Sequence, residues 1–261
     1  MTQLAPWFGL SGRLALVTGA GNGIGRATAL GLAERGAIAV LLDRDQAGLE
    51  AAAAAIRAAG GEVHTRLLDV TNEAEWHALG DWVAGKWGRI DILVNCAGIA
   101  RFDRVDEAIM ETYRDVFAVN VDGVVLGMAT ALRFMRAAGA GAIVNVASTA
   151  ALKGNPGMAS YGASKAAVAH FTRSAALECN RAGFDVRVNA VMPGFTQTAM
   201  AEQVHARFDD KLGGREATMK VFSSGRTARP EEIADLIVYL ASDRASFISG
   251  SVIACDRAQS A

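Results

Sequence analysis

The 261-residue sequence is short of several things, beginning with cysteine: Cys96, Cys179 and Cys255 are odd in number, far apart and form no C-x-x-C pair. That excludes a disulfide framework and fits a reducing compartment. Proline is scarce, with four residues, and no segment rich in Pro, Gly or Ser reads as a linker. The net charge is only −1, which gives no electrostatic reason to expect nucleic acid or an anionic membrane as partner. No uninterrupted apolar stretch approaches the ~18 residues of a membrane span, and Met1–Gly12 lacks the basic start and apolar core of a signal peptide. The four histidines (His64, His77, His170, His205) are scattered without ligand spacing, so no metal site is expected. These absences leave a soluble, cytoplasmic protein as the expectation.

Hydrophobic residues, by contrast, make up 51% of the chain, which suits a sheet buried on both faces. Short β-branched or Leu-rich runs predict strands at Arg13–Thr18, Ile38–Asp43, Val63–Asp69, Ile90–Asn95, Ala142–Ser148, Asp185–Met192 and Ser251–Asp256. Helical patterns fall between them, at Ile24–Arg35, Gln46–Ala59, Glu73–Trp87, Asp106–Ala138, Met158–Ala182 and Pro230–Ser242. Pro230 followed by Glu231 and Glu232 is a helix start. Alternating strands and helices predict an α/β fold, a doubly wound parallel sheet of about seven strands with helices on both faces. Residues 1–261 read as a single domain. The mixed, Gly-interrupted stretch 196–225 breaks the rhythm and reads as a substrate lid.

Three local patterns carry chemistry. The first strand runs into Thr18-Gly-Ala-Gly-Asn-Gly-Ile-Gly25, where closely spaced glycines let backbone N–H groups approach a phosphate at a helix N-terminus. Its spacing, Gly19-x-x-x-Gly23-x-Gly25, differs from the G-x-G-x-x-G of longer dinucleotide-binding domains. The second strand ends in Asp43, placed to accept hydrogen bonds from an adenosine ribose and to repel a 2′-phosphate. Asn22 is neutral where a cation would attract that phosphate, while Arg44 pulls the other way. The balance favours NAD over NADP. Third, Tyr161 and Lys165 stand at i and i+4 on one helix face, with Ser148 upstream at the end of an apolar run. A tyrosine deprotonates near pH ~10, and a neighbouring cation lowers that value. The trio can move a proton on and off an alcohol oxygen, although a Tyr-x-x-x-Lys pair alone is more often a solvated surface pair.

Taken in order, the motifs resemble the short-chain dehydrogenase/reductase superfamily in its compact, Rossmann-type branch. The series is the Thr18–Gly25 loop, Leu68-Asp69-Val70, Asn95-Cys96-Ala97-Gly98, Asn120 in Val-Asn-Val, Ser148, Tyr161 with Lys165, and Pro193-Gly194 followed by Thr198. The resemblance implies an oxidoreductase that couples hydride transfer to proton transfer, with Tyr161 as acid/base. Lys165 would acidify the phenol and bind the nicotinamide ribose, Ser148 would fix the substrate oxygen, and Asn120 would hold a relay water. For the cofactor it implies Gly19, Asn22, Gly23, Ile24 and Gly25 at the phosphates, Asp43 and Arg44 at the ribose, and Asp69 and Val70 at the adenine. Asn95, Ala97 and Gly98 would form the floor, and Val191, Pro193, Gly194, Thr196 and Thr198 would hold the nicotinamide. Homotetramers are the family's usual state. The family's last strand usually ends in Asp-Gly-Gly, whereas here Asp256 precedes Arg257-Ala258.

Substrate-lining candidates by position are Phe102, Thr149, Asn155, Met158, Phe195 and Met200, with Val204, Phe208, Leu212, Met219, Val221 and Phe222 in the lid. An apolar set of this kind suits a bulky, cyclic or steroid-like secondary alcohol or ketone. The runner-up is a 3-oxoacyl-(acyl-carrier-protein) reductase, with Arg133, Arg136, Arg173 and Arg181 as docking charges. A non-catalytic NAD-binding sensor or scaffold is the alternative from another class.

Overall fold

The computed structural model describes residues 9–106, 110–212, 214 and 226–261. Its centre is a seven-stranded, all-parallel sheet in the order β3-β2-β1-β4-β5-β6-β7. The strands are β1 (Leu14–Thr18), β2 (Ile38–Asp43), β3 (Val63–Leu67), β4 (Ile92–Asn95), β5 (Ala140–Val146), β6 (Asp185–Pro193) and β7 (Val252–Cys255). Between them run α1 (Gly23–Ala33), α2 (Gln46–Ala58), α3 (Glu73–Lys86), α4 (Met110–Phe117), α5 (Gly123–Ala138), α6 (Ala159–Arg181), α7 (Ala199–Leu212) and α8 (Pro230–Ala241).

Side chains alternate across a strand, and the sequence uses both faces. Ala15 and Val17 of β1 and Ala39 and Leu41 of β2 join one buried cluster with Leu32, Ile56 and Ile237 of α1, α2 and α8. Leu14, Leu16, Val40 and Leu42 join the other, with Trp76, Met128 and Val168 of α3, α5 and α6. Trp76 is fully buried, and its indole N–H donates to the Val70 carbonyl at 2.9 Å.

The predicted helix Asp106–Ala138 is interrupted. Between α4 and α5 the hydrogen bonding widens over Ala118–Asp122 into a single π-turn, with Gly123 N–H bonded to the Ala118 carbonyl. Residues 107–109 lie outside the described residues. The continuous helical run Met110–Ala138 has the length and mean hydropathy of a membrane span, 29 residues and 1.5, although charged residues such as Asp122 and Arg133 interrupt its apolar ones. Half of its most apolar window is buried inside the fold, where Met128, Ala131 and Met135 pack against the sheet. The proposed lid is not irregular throughout, because Ala199–Leu212 is helix α7. Residues 213 and 215–225 of that stretch, with Met219, Val221 and Phe222, lie outside the described residues, as do the side chains of Phe208 and Leu212.

Candidate active site

The strand order reverses between β1 and β4, and in open parallel sheets the crevice beyond the strand C-termini at that point receives ligands. Here the loops after β1 and β4 meet. Gly19 has φ +66°, and a Cβ on it would lie 2.9 Å from the Ala97 backbone. A Cβ on Gly25 would lie 2.1 Å from the Gly19 carbonyl oxygen. Only glycine permits this closeness. Thr18 stitches the two loops together: its hydroxyl accepts from the N–H groups of Cys96 and Ala97 at 3.0 and 3.1 Å.

A cavity of about 1000 Å³ opens from this junction. At one end stand Asp43, Arg44, Asp69 and Val70, and along its length Gly19, Asn22, Gly23, Ile24, Gly25, Ala97, Gly98, Pro193, Gly194, Thr196 and Thr198. Asp43 also organises the loop, accepting from Gly21 N–H at 2.9 Å and Asp45 N–H at 3.1 Å. Hydrogen bonds from the Thr71 backbone and hydroxyl hold the Asp69 carboxyl below its usual range, with a smaller pull from Arg44. Ser148, Tyr161 and Lys165 line the cavity too, as do Phe102, Thr149, Asn155, Met158, Phe195 and Met200. Met158, Phe102, Phe195, Val204 and Ala100 form a small apolar cluster with the Tyr161 ring.

Ser148 follows the end of β5, and helix α6 sets the position of Tyr161 and Lys165. Its N-terminus is held by Asp103, whose carboxylate accepts from Ser160 N–H at 2.9 Å and from the Ser160 hydroxyl. Its flank is tied to the sheet by a buried chain: Asn95 donates to Asn145 at 2.9 Å, and Asn145 to Thr172 at 3.0 Å. One turn separates Tyr161 from Lys165, and Lys165 Nζ lies 5.8 Å from the Tyr161 ring centre. That ammonium is buried and donates to the Val146 carbonyl at 2.9 Å. Burial lowers its pKa to about 8. The Tyr161 phenol is bonded to the Ser148 hydroxyl, which favours the phenolate, but burial outweighs that and pushes its pKa up. The expectation of an acidified tyrosine therefore does not describe the ligand-free pocket, where desolvation opposes the charged form. Burial likewise pushes the neighbouring Cys96 thiol up to about 12.

Asn95, Asn120 and Val191 stand apart from the other predicted positions, being absent from the cavity wall. Asn95 is occupied in the polar chain beneath α6. Asn120, on the π-turn, brackets Ile99 by accepting from its N–H at 2.8 Å and donating to its carbonyl at 2.9 Å, and donates to Ser164 at 3.0 Å. Val191 is in the core. The sequence reading missed Arg104, Lys153, Gly157 and Gln259, all of which line the cavity. Gln259 arrives from the chain terminus, which no local pattern signals. Lys153 was within reach, five positions after Ser148.

A parallel sheet with a glycine-lined crevice at its switch point is the architecture in which α/β proteins hold nucleotides, and the comparisons narrow it. The family described as short chain dehydrogenase matches residues 13–208, and the chain belongs to that family. It is thereby an oxidoreductase of a family that binds a nicotinamide cofactor. It is 43% identical over 245 residues to a cis-4-hydroxycyclohexanecarboxylate dehydrogenase of Sinomonas cyclohexanicum, covering 94% of this chain and 95% of the relative. It is 37% identical over 247 residues to a 3-oxoacyl-(acyl-carrier-protein) reductase of Thermotoga maritima, covering 95% and 97%. Among solved structures, a levodione reductase superposes with a TM-score of 0.90 at 35% identity, covering 96% of this chain and 98% of that one.

Proposed function

We propose that this protein interconverts a secondary alcohol on a bulky apolar ring and the corresponding ketone, using NAD(H), with Tyr161 as acid/base. The observation that carries the reading is the single cavity joining the glycine loop, the Ser148–Tyr161–Lys165 trio and the Phe102–Met158–Phe195 pocket. The likeness to a hydroxycyclohexanecarboxylate dehydrogenase supports a cyclic substrate.

The cavity suits a dinucleotide: its volume, its glycine-lined turn at the start of α1 and its acidic far end match the three demands of size, phosphate approach and ribose recognition. Gly19–Gly25 would hold the phosphates, Asp43 the adenosine ribose, Asp69 and Val70 the adenine, and Pro193–Thr198 with Lys165 the nicotinamide end. The bound nicotinamide supplies the hydride acceptor or donor. The chain's own residues manage the proton. Ser148 orients the carbinol oxygen, and the Tyr161 phenolate takes its proton during oxidation or returns it during reduction. Lys165 supplies a positive charge beside the phenol that counters the burial penalty. Asn120, locking Ile99 to α6 through Ser164, keeps the loop after β4 in place.

Initial rates on a panel of cyclic alcohols, cyclic ketones, acyclic polyols and 3-oxoacyl thioesters, each with both nicotinamides, test this. Cyclic secondary alcohols with NAD should lead. Tyr161→Phe should lower kcat by on the order of 10²–10⁴-fold, the range of a lost acid/base, with little change in NAD affinity. A near-normal rate in that variant removes Tyr161 from the role. Preference for thioesters would establish the second reading, a 3-oxoacyl-(acyl-carrier-protein) reductase, which the Thermotoga maritima relative favours. NAD binding without turnover of any substrate would point to a sensor.

Cofactor choice is read from Asp43. Asp43→Asn keeps an acceptor for Gly21 N–H while removing the charge that faces a 2′-phosphate. The kcat/KM ratio of NADP to NAD should rise by at least about tenfold, ~1.4 kcal/mol of relieved repulsion. An unchanged ratio would show that Asp43 does not set the preference. We further propose a cytoplasmic homotetramer; the three free cysteines fit a reducing compartment.

A further inference from the structure

The charged lining residues of the cavity are unevenly spread, with Arg44 among three carboxylates at one end and only cations at the other. All its acidic lining residues, Asp43, Asp45 and Asp69, stand at the far end beside the glycine loop, whereas Arg104 and Lys153 line the end with Phe102 and Met158. Arg104 is bonded to Asp106 at 2.6 Å, so its charge is balanced. Lys153 differs. Its ammonium donates to the main-chain carbonyl of Gln259 at 2.8 Å, a neutral partner, and no carboxylate among the described residues pairs with it.

That arrangement is built by the chain terminus. Arg257 and Ala258 have φ of 52° and 61°, left-handed values at two successive residues that have a Cβ. The turn they make brings Gln259 back onto the cavity wall, where its side-chain oxygen accepts from Phe195 N–H at 3.2 Å. A Cβ on Gly194 would lie 2.6 Å from that oxygen, so the contact is close. The tail thus holds Lys153 at the edge of an apolar pocket with two ammonium donors to spare.

We propose that Lys153 is a specificity-determining residue that binds a carboxylate carried by the substrate. The ring alcohol taken by this site is then a hydroxy acid, with its carbinol at Tyr161 and its anionic group at the far side of the ring. This rests on the cyclic-alcohol reading above. A cation at the rim of an apolar, partly desolvated pocket discriminates by charge more than by shape.

The test uses the NAD-loaded protein with three probes: 4-hydroxycyclohexanecarboxylate, its methyl ester and cyclohexanol. Acid and ester differ in charge at nearly constant shape. Wild type should favour the acid over the ester in kcat/KM by about tenfold or more. Lys153→Met should bring that ratio to about one, mainly through KM for the acid, while Lys153→Arg retains most of it. Raising ionic strength from about 0.05 to about 0.5 M should shrink the wild-type ratio, because an exposed cation is screened. Equal use of acid and ester by wild type, or loss of both alike in Lys153→Met, overturns the assignment. Failure of the underlying reading looks different, since none of the three probes, cyclohexanol included, would then be turned over.

Discussion

At residue scale, Lys165 shows what the spacing Tyr161-x-x-x-Lys165 discloses and what it conceals. The spacing places both groups on one helix face, and the structure puts them in the same cavity wall. It does not disclose that the lysine is 4% exposed, with its pKa lowered from 10.5 to about 8 by burial. Burial depends on β5 and on the loops after β1 and β4, which come from elsewhere in the chain. The same desolvation reverses the expected direction of the Tyr161 shift. A consequence for stability follows with a definite sign. A lysine whose folded pKa is depressed binds its proton less tightly than in the unfolded chain, so its burial costs stability below about pH 8, where both states are charged. The cost is relieved as pH rises through the interval from about 8 to 10.5. Lys165→Met should therefore unfold at higher denaturant than wild type at pH 7, despite losing the bond to the Val146 carbonyl. The gain, of order 1–3 kcal/mol from ~1.4 kcal/mol per pKa unit less one hydrogen bond, should narrow toward pH 10. Denaturant titrations of the ligand-free proteins across that interval measure it, and a gap independent of pH would mean that folding does not shift the lysine's pKa.

At the scale of elements, apolar runs and helical patterns place all seven strands and most helices among the described residues to within a few positions, with α4 and α5 read as one helix and α7 not read as a helix. β2, for instance, runs from Ile38 to Asp43 as read. The pattern is legible there because both faces of each central strand are buried, so composition marks the strand and glycines mark its ends. Where it failed, the deciding interactions are tertiary. The π-turn at Ala118–Asp122 leaves no mark on helical periodicity, because one extra residue is absorbed within a run that stays apolar on both sides; its sign is the Asn120 amide reaching Ile99 and Ser164. Helix α7 falls inside a stretch whose mixed composition and glycines read as a lid, although Met200, Val204, Phe208 and Leu212 recur there near helical spacing. In the sequence the tail shows only as a departure at Arg257-Ala258, and its placement against Gly194 and Phe195 depends on β6 and β7 being neighbours. The motif places Asn95 toward the cofactor, yet its amide lies in the chain Asn95–Asn145–Thr172, which ties α6 to the sheet.

At the scale of the whole molecule, the sheet accounts for the inner faces of the helices but not for the outer ones. Phe171 is 41% and Leu177 50% exposed on α6, and Met110 is 54% exposed on α4, which packs beside it. Exposed alanines, Ala163 and Ala166, continue the α6 surface toward its N-terminus. A surface of this kind, small residues interspersed with large apolar ones on two adjacent helices, suits close approach of a second copy about a two-fold axis, since an isologous contact needs one self-complementary patch. Tyr161 and Lys165 lie on the same helix, so packing on its outer face would also stiffen the element that carries them. The assembly proposed here should sediment at four times the 27.2 kDa of one chain. Replacing Phe171 and Leu177 together by Glu would place like charges against each other across the two-fold and should shift the species to a smaller one at micromolar concentration, with lower activity per chain that returns as protein concentration is raised. Sedimentation velocity on both proteins decides it: a wild type that runs as a monomer, or a double variant whose mass is unchanged, would show that these helices face solvent and that the site is complete within one chain.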